Sequence, residues 1–148
     1  MPSARDVEVL LVEDNPGDAR LVHEAFAEWH LVNTLHHVID GVEAMAFLRR
    51  EGKYATGYRR PDLVLLDLNL PRKDGRQVLA DIKNDPELRK IPVVALTTSS
   101  ARSDIDACYR AGANAYVTKP LDFSEFLTAL SALRVFWFSV VTLPEDDS

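Results

Sequence analysis

Apolar residues along this chain fall into short solid blocks, separated by longer stretches in which they recur every three or four positions. Val7–Val12 (VEVLLV) is the first block and has the length of a strand. EDNPGD follows, where Asn15 before Pro16 makes a helix N-cap with proline at the first helical position. Leu21, Val22, Ala25, Phe26 and Trp29 then repeat at helical spacing. A second strand, interrupted by polar residues, is expected around residues 31–39, and GVEAMAFLRR is expected to be the second helix. EGKYATGYRRPD reads as a long basic loop leading to the third block, residues 63–66. Beyond it the pattern predicts a helix over residues 76–83 and a buried strand over residues 93–96. A helix in SDIDACYRAG, closed by Gly112, and a fifth strand within NAYVTKP come next. Asp122 caps a last helix, with Glu125 three residues on as in a capping box. Apolar strands in strict alternation with helices predict an α/β fold, a five-stranded parallel sheet wound on both faces by five helices. No internal repeat or linker is visible.

The chain of 148 residues suits one domain with a single core. The expected division is a tail over residues 1–6, the domain over residues 7–134, and an apolar extension with an acidic end over residues 135–148. No apolar run reaches membrane-spanning length and no basic-then-apolar leader opens the chain, so a soluble protein is expected. The single cysteine, Cys108, precludes an internal disulfide and suits the reducing cytoplasm. A net charge of −6, with no basic recognition helix, speaks against a nucleic-acid partner.

The third block changes the picture. In PDLVLLDLNLPRKDG a carboxylate, Asp67, stands directly after four apolar residues, and burying an ionised carboxylate is costly unless something pairs with it. Functional sites of open α/β sheets lie beyond the carboxyl ends of the strands. The predicted strands carry there Glu13 and Asp14, then Asp67, then Thr97 and Thr98, then Thr118, Lys119 and Pro120. Like charges about 4 Å apart repel by about 1 kcal/mol in water and about 4 kcal/mol at an effective dielectric near 20. Three such carboxylates need more than the one ammonium of Lys119. An all-oxygen cluster with few protein ligands suits Mg²⁺.

The ordered set VEDN, LLDLNLPRKDG, TTS and KP resembles the receiver domain of two-component response regulators, over nearly the whole chain. That resemblance implies a flavodoxin-like fold, with Asp67 as the phosphoacceptor for a sensor histidine kinase. It implies Mg²⁺ held directly by Asp14, Asp67 and the backbone carbonyl of Asn69, with Glu13 acting through water. Lys119 would pair with Asp67 and then with the phosphoryl oxygens, Thr97 would donate to the phosphoryl group, and Tyr116 matches an aromatic position whose rotamer reports activation. The Lys119–Pro120 bond is implied to be cis. Taken singly, each residue has an ordinary reading: Glu13 and Asp14 as solvated helix-start residues, Asp67 as a turn residue, Thr97 as a strand end, Lys119 as a surface charge. All of these would have to hold together, and in this order.

The histidines carry less. His36 and His37 are adjacent and would face opposite sides of a strand, and His23 and His30 lack a third ligand. Packing or surface roles are expected for them, and a core position for Cys108. The tail LRVFWFSVVTLP is more apolar than a last helix requires. Phe123, Phe126, Leu127, Leu130 and Leu133 suffice for the core-facing stripe. Phe136, Trp137, Phe138, Val140 and Val141 are then left over, on an extended last helix, for a symmetric homodimer or for folding back on the domain. This tail and the long loop resemble single-domain regulators that accompany bacterial phytochromes. Two other classes remain open: a haloacid-dehalogenase-like phosphatase, which lacks its second aspartate because Asn69 stands there, and a degenerate receiver that only binds proteins. A transcription factor is disfavoured, since no DNA-reading element is left over.

Overall fold

A computed structural model of the chain describes residues 7–28, 33–99, 101–119, 122, 124–126 and 128. Its strands are β1 Val7–Val12, β2 Asn33–Val38, β3 Leu63–Asp67, β4 Val93–Thr97 and β5 Ala115–Thr118. They form one parallel sheet in the order β2–β1–β3–β4–β5. The helices between them are α1 Pro16–Glu28, α2 Gly41–Arg49, α3 Gly75–Lys83 and α4 Arg102–Arg110. Residues 124–126 and 128, where the last helix is expected, are also helical.

Short polar side chains set most helix starts. Asn15 Oδ1 accepts from the Asp18 N–H at 2.9 Å, and Asp40 Oδ1 from the Glu43 N–H at 2.8 Å. Asp74 Oδ1 accepts from the Arg76 N–H at 2.7 Å, and Asp122 Oδ1 from the Glu125 N–H at 2.9 Å. Each satisfies a donor that the first helical turn leaves unpaired. α4 starts without such a cap on Ala101.

Alternate strand residues serve two cores. Leu10, Val12, Val64, Leu66, Val93 and Ala95 face one side, where α2, α3 and α4 pack through Leu48, Leu79 and Cys108. Val9, Leu11, Leu63, Leu65, Val94 and Leu96 face the other, against Val22 and Phe26 of α1 and Phe126 of the last helix. Right-handed crossovers dictate this split. The connection from β1 to β2 runs one way along the sheet, and those from β2 to β3, β4 and β5 run the other.

The structure extends two predicted strands by one residue. Asp67 pairs with Leu96 and Thr97 with Thr118, so both end their strands rather than follow them. The ladder continues because the Leu68 N–H donates to the Leu96 carbonyl at 2.9 Å and the Lys119 N–H to the Thr97 carbonyl at 2.7 Å. The stretch between α2 and β3 is also more than a loop. A 3-10 turn, Gly52–Tyr54, buries Tyr54 against Phe47 with ring centroids 5.0 Å apart, and the Tyr54 hydroxyl donates to Glu43 Oε1 at 2.7 Å.

Cys108 is buried, as expected. His36 and His37 point apart: His36 Nε2 lies 2.6 Å from Glu8 Oε1, and His37 turns to the end of β1. Among the described residues no helix is long and apolar enough to cross a membrane. Pro120, Phe136, Trp137, Phe138, Val140 and Val141 lie outside the described residues, as do the cis bond and the extended helix expected there.

Candidate functional site

The sheet order reverses between β1 and β3, and the crevice beyond their carboxyl ends is where a doubly wound sheet binds ligands. Glu13 leaves β1 at that point. Its N–H donates to the Val38 carbonyl at 3.0 Å, and its carbonyl faces His37 Nε2 at 2.7 Å. Its side chain turns inward and is fully buried, while the next residue, Asp14, is exposed. Asp67 enters from β3, only 2 % exposed. Glu13, Asp14 and Asp67 each offer a carboxylate oxygen, all within 4.8 Å of one another.

Lys119, just past β5, reaches across the sheet to the same place. Its Nζ lies 2.9 Å from Glu13 Oε2, 3.0 Å from Asp18 Oδ2 and 3.1 Å from Asp67 Oδ2. Asp67 is held on both oxygens, because its Oδ1 accepts from the Asn69 N–H at 2.9 Å. Glu13 Oε2 also accepts from the Asn15 N–H at 3.1 Å. Glu13 Oε1 lies 2.8 Å from the ammonium but out of line for a hydrogen bond, so this buried oxygen keeps an unused lone pair.

Charge in the cluster is unbalanced: the carboxylates of Glu13, Asp14, Asp18 and Asp67 face one ammonium. Burial pushes the Glu13 carboxyl up to about 7; the Lys119 hydrogen bond opposes that rise and the Asp67 charge adds to it. Burial alone would lower the Lys119 ammonium, but its hydrogen bonds to Glu13 and Asp18 and the Asp67 charge hold it above its ordinary value. A buried oxygen with no hydrogen bond, an all-oxygen donor set and excess negative charge together fit a hard divalent cation.

The surrounding loops are fixed by close contacts. A Cβ on Gly75 would lie 2.2 Å from the Asp67 carbonyl and 2.6 Å from Leu68 Cα, and one on Gly41 would lie 2.2 Å from the Lys73 carbonyl. Only glycine lets the start of α3 sit against the end of β3, and the start of α2 against the β3–α3 loop. Arg72, at φ 64, places its guanidinium 3.3 Å from the buried Asp40 that caps α2. On the other side of Asp67, Thr97 is 1 % exposed and its Oγ1 accepts from the Ser99 N–H at 3.2 Å. The Tyr116 hydroxyl donates to the Ser99 carbonyl, and Ser99 Oγ donates to Asp104 Oδ2 at 2.5 Å.

Residues 9–131 match the response regulator receiver domain family. Response regulator Rcp1 of Synechocystis sp. is 46 % identical over 136 residues, covering 92 % of each chain. The crystal structure of the phosphorylated cyanobacterial phytochrome response regulator RcpA superposes with a TM-score of 0.81 at 47 % identity, over 93 % of this chain and 97 % of that one. The Mn²⁺-bound form of Rcp1 gives 0.79 at 44 % identity, over 88 % and 94 %. The chain belongs to the response regulator receiver family.

Receivers bind a divalent metal, in keeping with the acidic cluster described above. A receiver is a signalling domain rather than an enzyme in the ordinary sense, and its membership in two-component systems implies a sensor kinase as partner. The likeness to phytochrome response regulators, first suggested by tail and loop, extends over more than nine-tenths of the chain. The phosphatase and degenerate-module alternatives gain no support from these relatives.

In this receiver the structure brings Glu13, Asp14, Asp67 and Lys119 together. Thr97 sits one strand from Asp67, on β4, and Tyr116 two strands away, on β5; the two are linked through Ser99. Asn69 meets Asp67 through its N–H. Two participants were missed. Asp18 stands one turn into α1 and grips Lys119, and its position one turn beyond Asp14 was the available signal. His37 holds the Glu13 carbonyl, and nothing local in the sequence marks it.

Proposed function

We propose that the chain is a stand-alone response regulator that accepts a phosphoryl group on Asp67 from a phosphohistidine of a sensor histidine kinase of the phytochrome type. The observation that carries this reading is the setting of Asp67. It is buried at the crevice of the sheet, with one oxygen on the Asn69 N–H and the other on the Lys119 ammonium.

Asp14, Asp67 and the Asn69 carbonyl would hold Mg²⁺ directly, with Glu13 reaching it through water. Mg²⁺ bound there supplies neutralising charge for the phosphoryl oxygens. An Asp67 carboxylate oxygen attacks phosphorus in line with the scissile bond. The P–N bond breaks, its electron pair leaves with the imidazole, and an acyl phosphate forms on Asp67. Lys119, already at the reacting carboxylate, offsets the added negative charge. Thr97 Oγ1 then leaves the Ser99 N–H for the new oxygens. The loop after β4 follows, and the Tyr116 hydroxyl loses its acceptor on Ser99. Phe136, Trp137, Phe138, Val140 and Val141 of the extension beyond residue 134 join two copies into a homodimer, an apolar set that one small domain has no second core to receive.

The test is intact mass after incubation with acetyl phosphate, with and without Mg²⁺, beside Asp67→Asn. The expected result is a gain of one phosphoryl group that needs Mg²⁺ and is absent from the variant. No gain in folded wild-type protein, with a working receiver run in parallel, would overturn the reading.

A further inference from the structure

His37 has no part in the scheme above, yet it touches the cluster's frame. It lies on the edge strand β2 in register with Leu11, one residue before Val38. Its Nε2 is 2.7 Å from the main-chain carbonyl of Glu13. A carbonyl oxygen only accepts, so Nε2 carries the hydrogen in this contact. The Glu13 N–H donates to the Val38 carbonyl at 3.0 Å. Strand β2 thus grips both main-chain groups of Glu13, one through its backbone and the other through the imidazole.

That grip falls where the sheet stops helping. β1 ends at Val12, so no ladder pairing fixes the peptide between Glu13 and Asp14. This peptide carries two of the three carboxylates whose oxygens lie within 4.8 Å of one another. A rotation there would swing the Glu13 side chain one way and Asp14 the other. The His23 ring from α1 stands edge-on to His37, with centroids 6.0 Å apart and planes at 78°.

We propose that His37 is a positioning residue for the divalent-cation site. Its Nε2–H holds the Glu13–Asp14 peptide in the orientation that turns both carboxylates toward Asp67. The inference rests on reading that cluster as the cation site. Groups that orient metal ligands without touching the metal typically change affinity by about 10–100-fold when removed, and one main-chain contact belongs at the lower end.

The test is calorimetric titration of Mg²⁺ into the full chain, wild type and variants, with thermal unfolding recorded on the same samples. His37→Leu and His37→Val lack the donor, His37→Gln restores one, and His23→Leu removes only the ring beside it. The expected result is a dissociation constant raised about tenfold in the two donor-less variants, most of it recovered in His37→Gln, and no change in His23→Leu. Unchanged affinity in whichever donor-less variant folds would overturn the inference while leaving the cation site standing. Equal losses in His23→Leu and His37→Leu would overturn it in favour of ring packing. No binding by wild-type protein would overturn both readings together.

Discussion

Glu13 is the residue whose chemistry is least ordinary. In the unfolded chain its carboxyl releases a proton near pH 4.5, but in the fold burial holds the proton up to about pH 7. Between those values the folded state binds the extra proton, so the stability this group contributes is complete below pH 4.5 and is lost as pH rises toward about 7. The metal-free protein is therefore expected to show a falling thermal midpoint across that window, followed by circular dichroism in the presence of a chelator. Glu13→Gln cannot ionise and should flatten that part of the curve. Added divalent cation should restore stability at the upper end of the window, since deprotonated carboxylates bind it. Glu13, Asp14 and Asp67 could be singled out from sequence because they stand at the end of solid apolar blocks, where a charge is conspicuous, and Lys119 because it follows the last expected strand and precedes Pro120. His37 could not, because what makes it matter is a partner elsewhere in the chain, the Glu13 carbonyl, and Asp18 offered only its place one turn beyond Asp14 as a signal for its grip on Lys119.

At the scale of elements, the joint between β3 and α3 is the most constrained. A methyl group on Gly75 would meet backbone atoms of Asp67 and Leu68, which cannot swing aside as a flexible side chain could. Gly75→Ala is expected to cost about 1–3 kcal/mol in a urea titration, as overpacking does. It should also slow acetyl phosphate labelling of Asp67, because relief of the clash has to move the acceptor's own backbone. Strands β1, β3 and β4 and two of the helix starts were legible because their causes are local: largely contiguous apolar residues, and Asn15 or Asp122 one or two residues ahead of a helix. The final residue of a strand is not local. Asp67 and Thr97 count as strand because Leu96 and Thr118 lie beside them in the sheet. Tyr54 likewise gave no periodic signal, and its burial depends on Phe47 and Glu43 of the preceding helix.

For the whole molecule, the proposed homodimer makes a direct prediction. Trp137→Ala combined with Phe138→Ala should convert a dimer to a monomer in sedimentation velocity, with the acetyl phosphate reaction on Asp67 preserved in the monomer. A dimer that survives this double change would place the contact elsewhere. The site itself is a long-range construction. Lys119 and Glu13 are 106 positions apart in the chain, and Lys119 and Asp67 are 52 apart. Ribosomes add about 5–20 residues per second, so a growing chain displays Glu13, Asp14 and Asp67 for seconds before the ammonium that completes the set exists. During that interval the three acids repel one another, and β5, which carries Lys119 into place, has not been made. A partly synthesised receiver is thus a poor recipient for any small phosphodonor in the cell. Competence to carry a signal waits on Lys119, the member of the set that is added last.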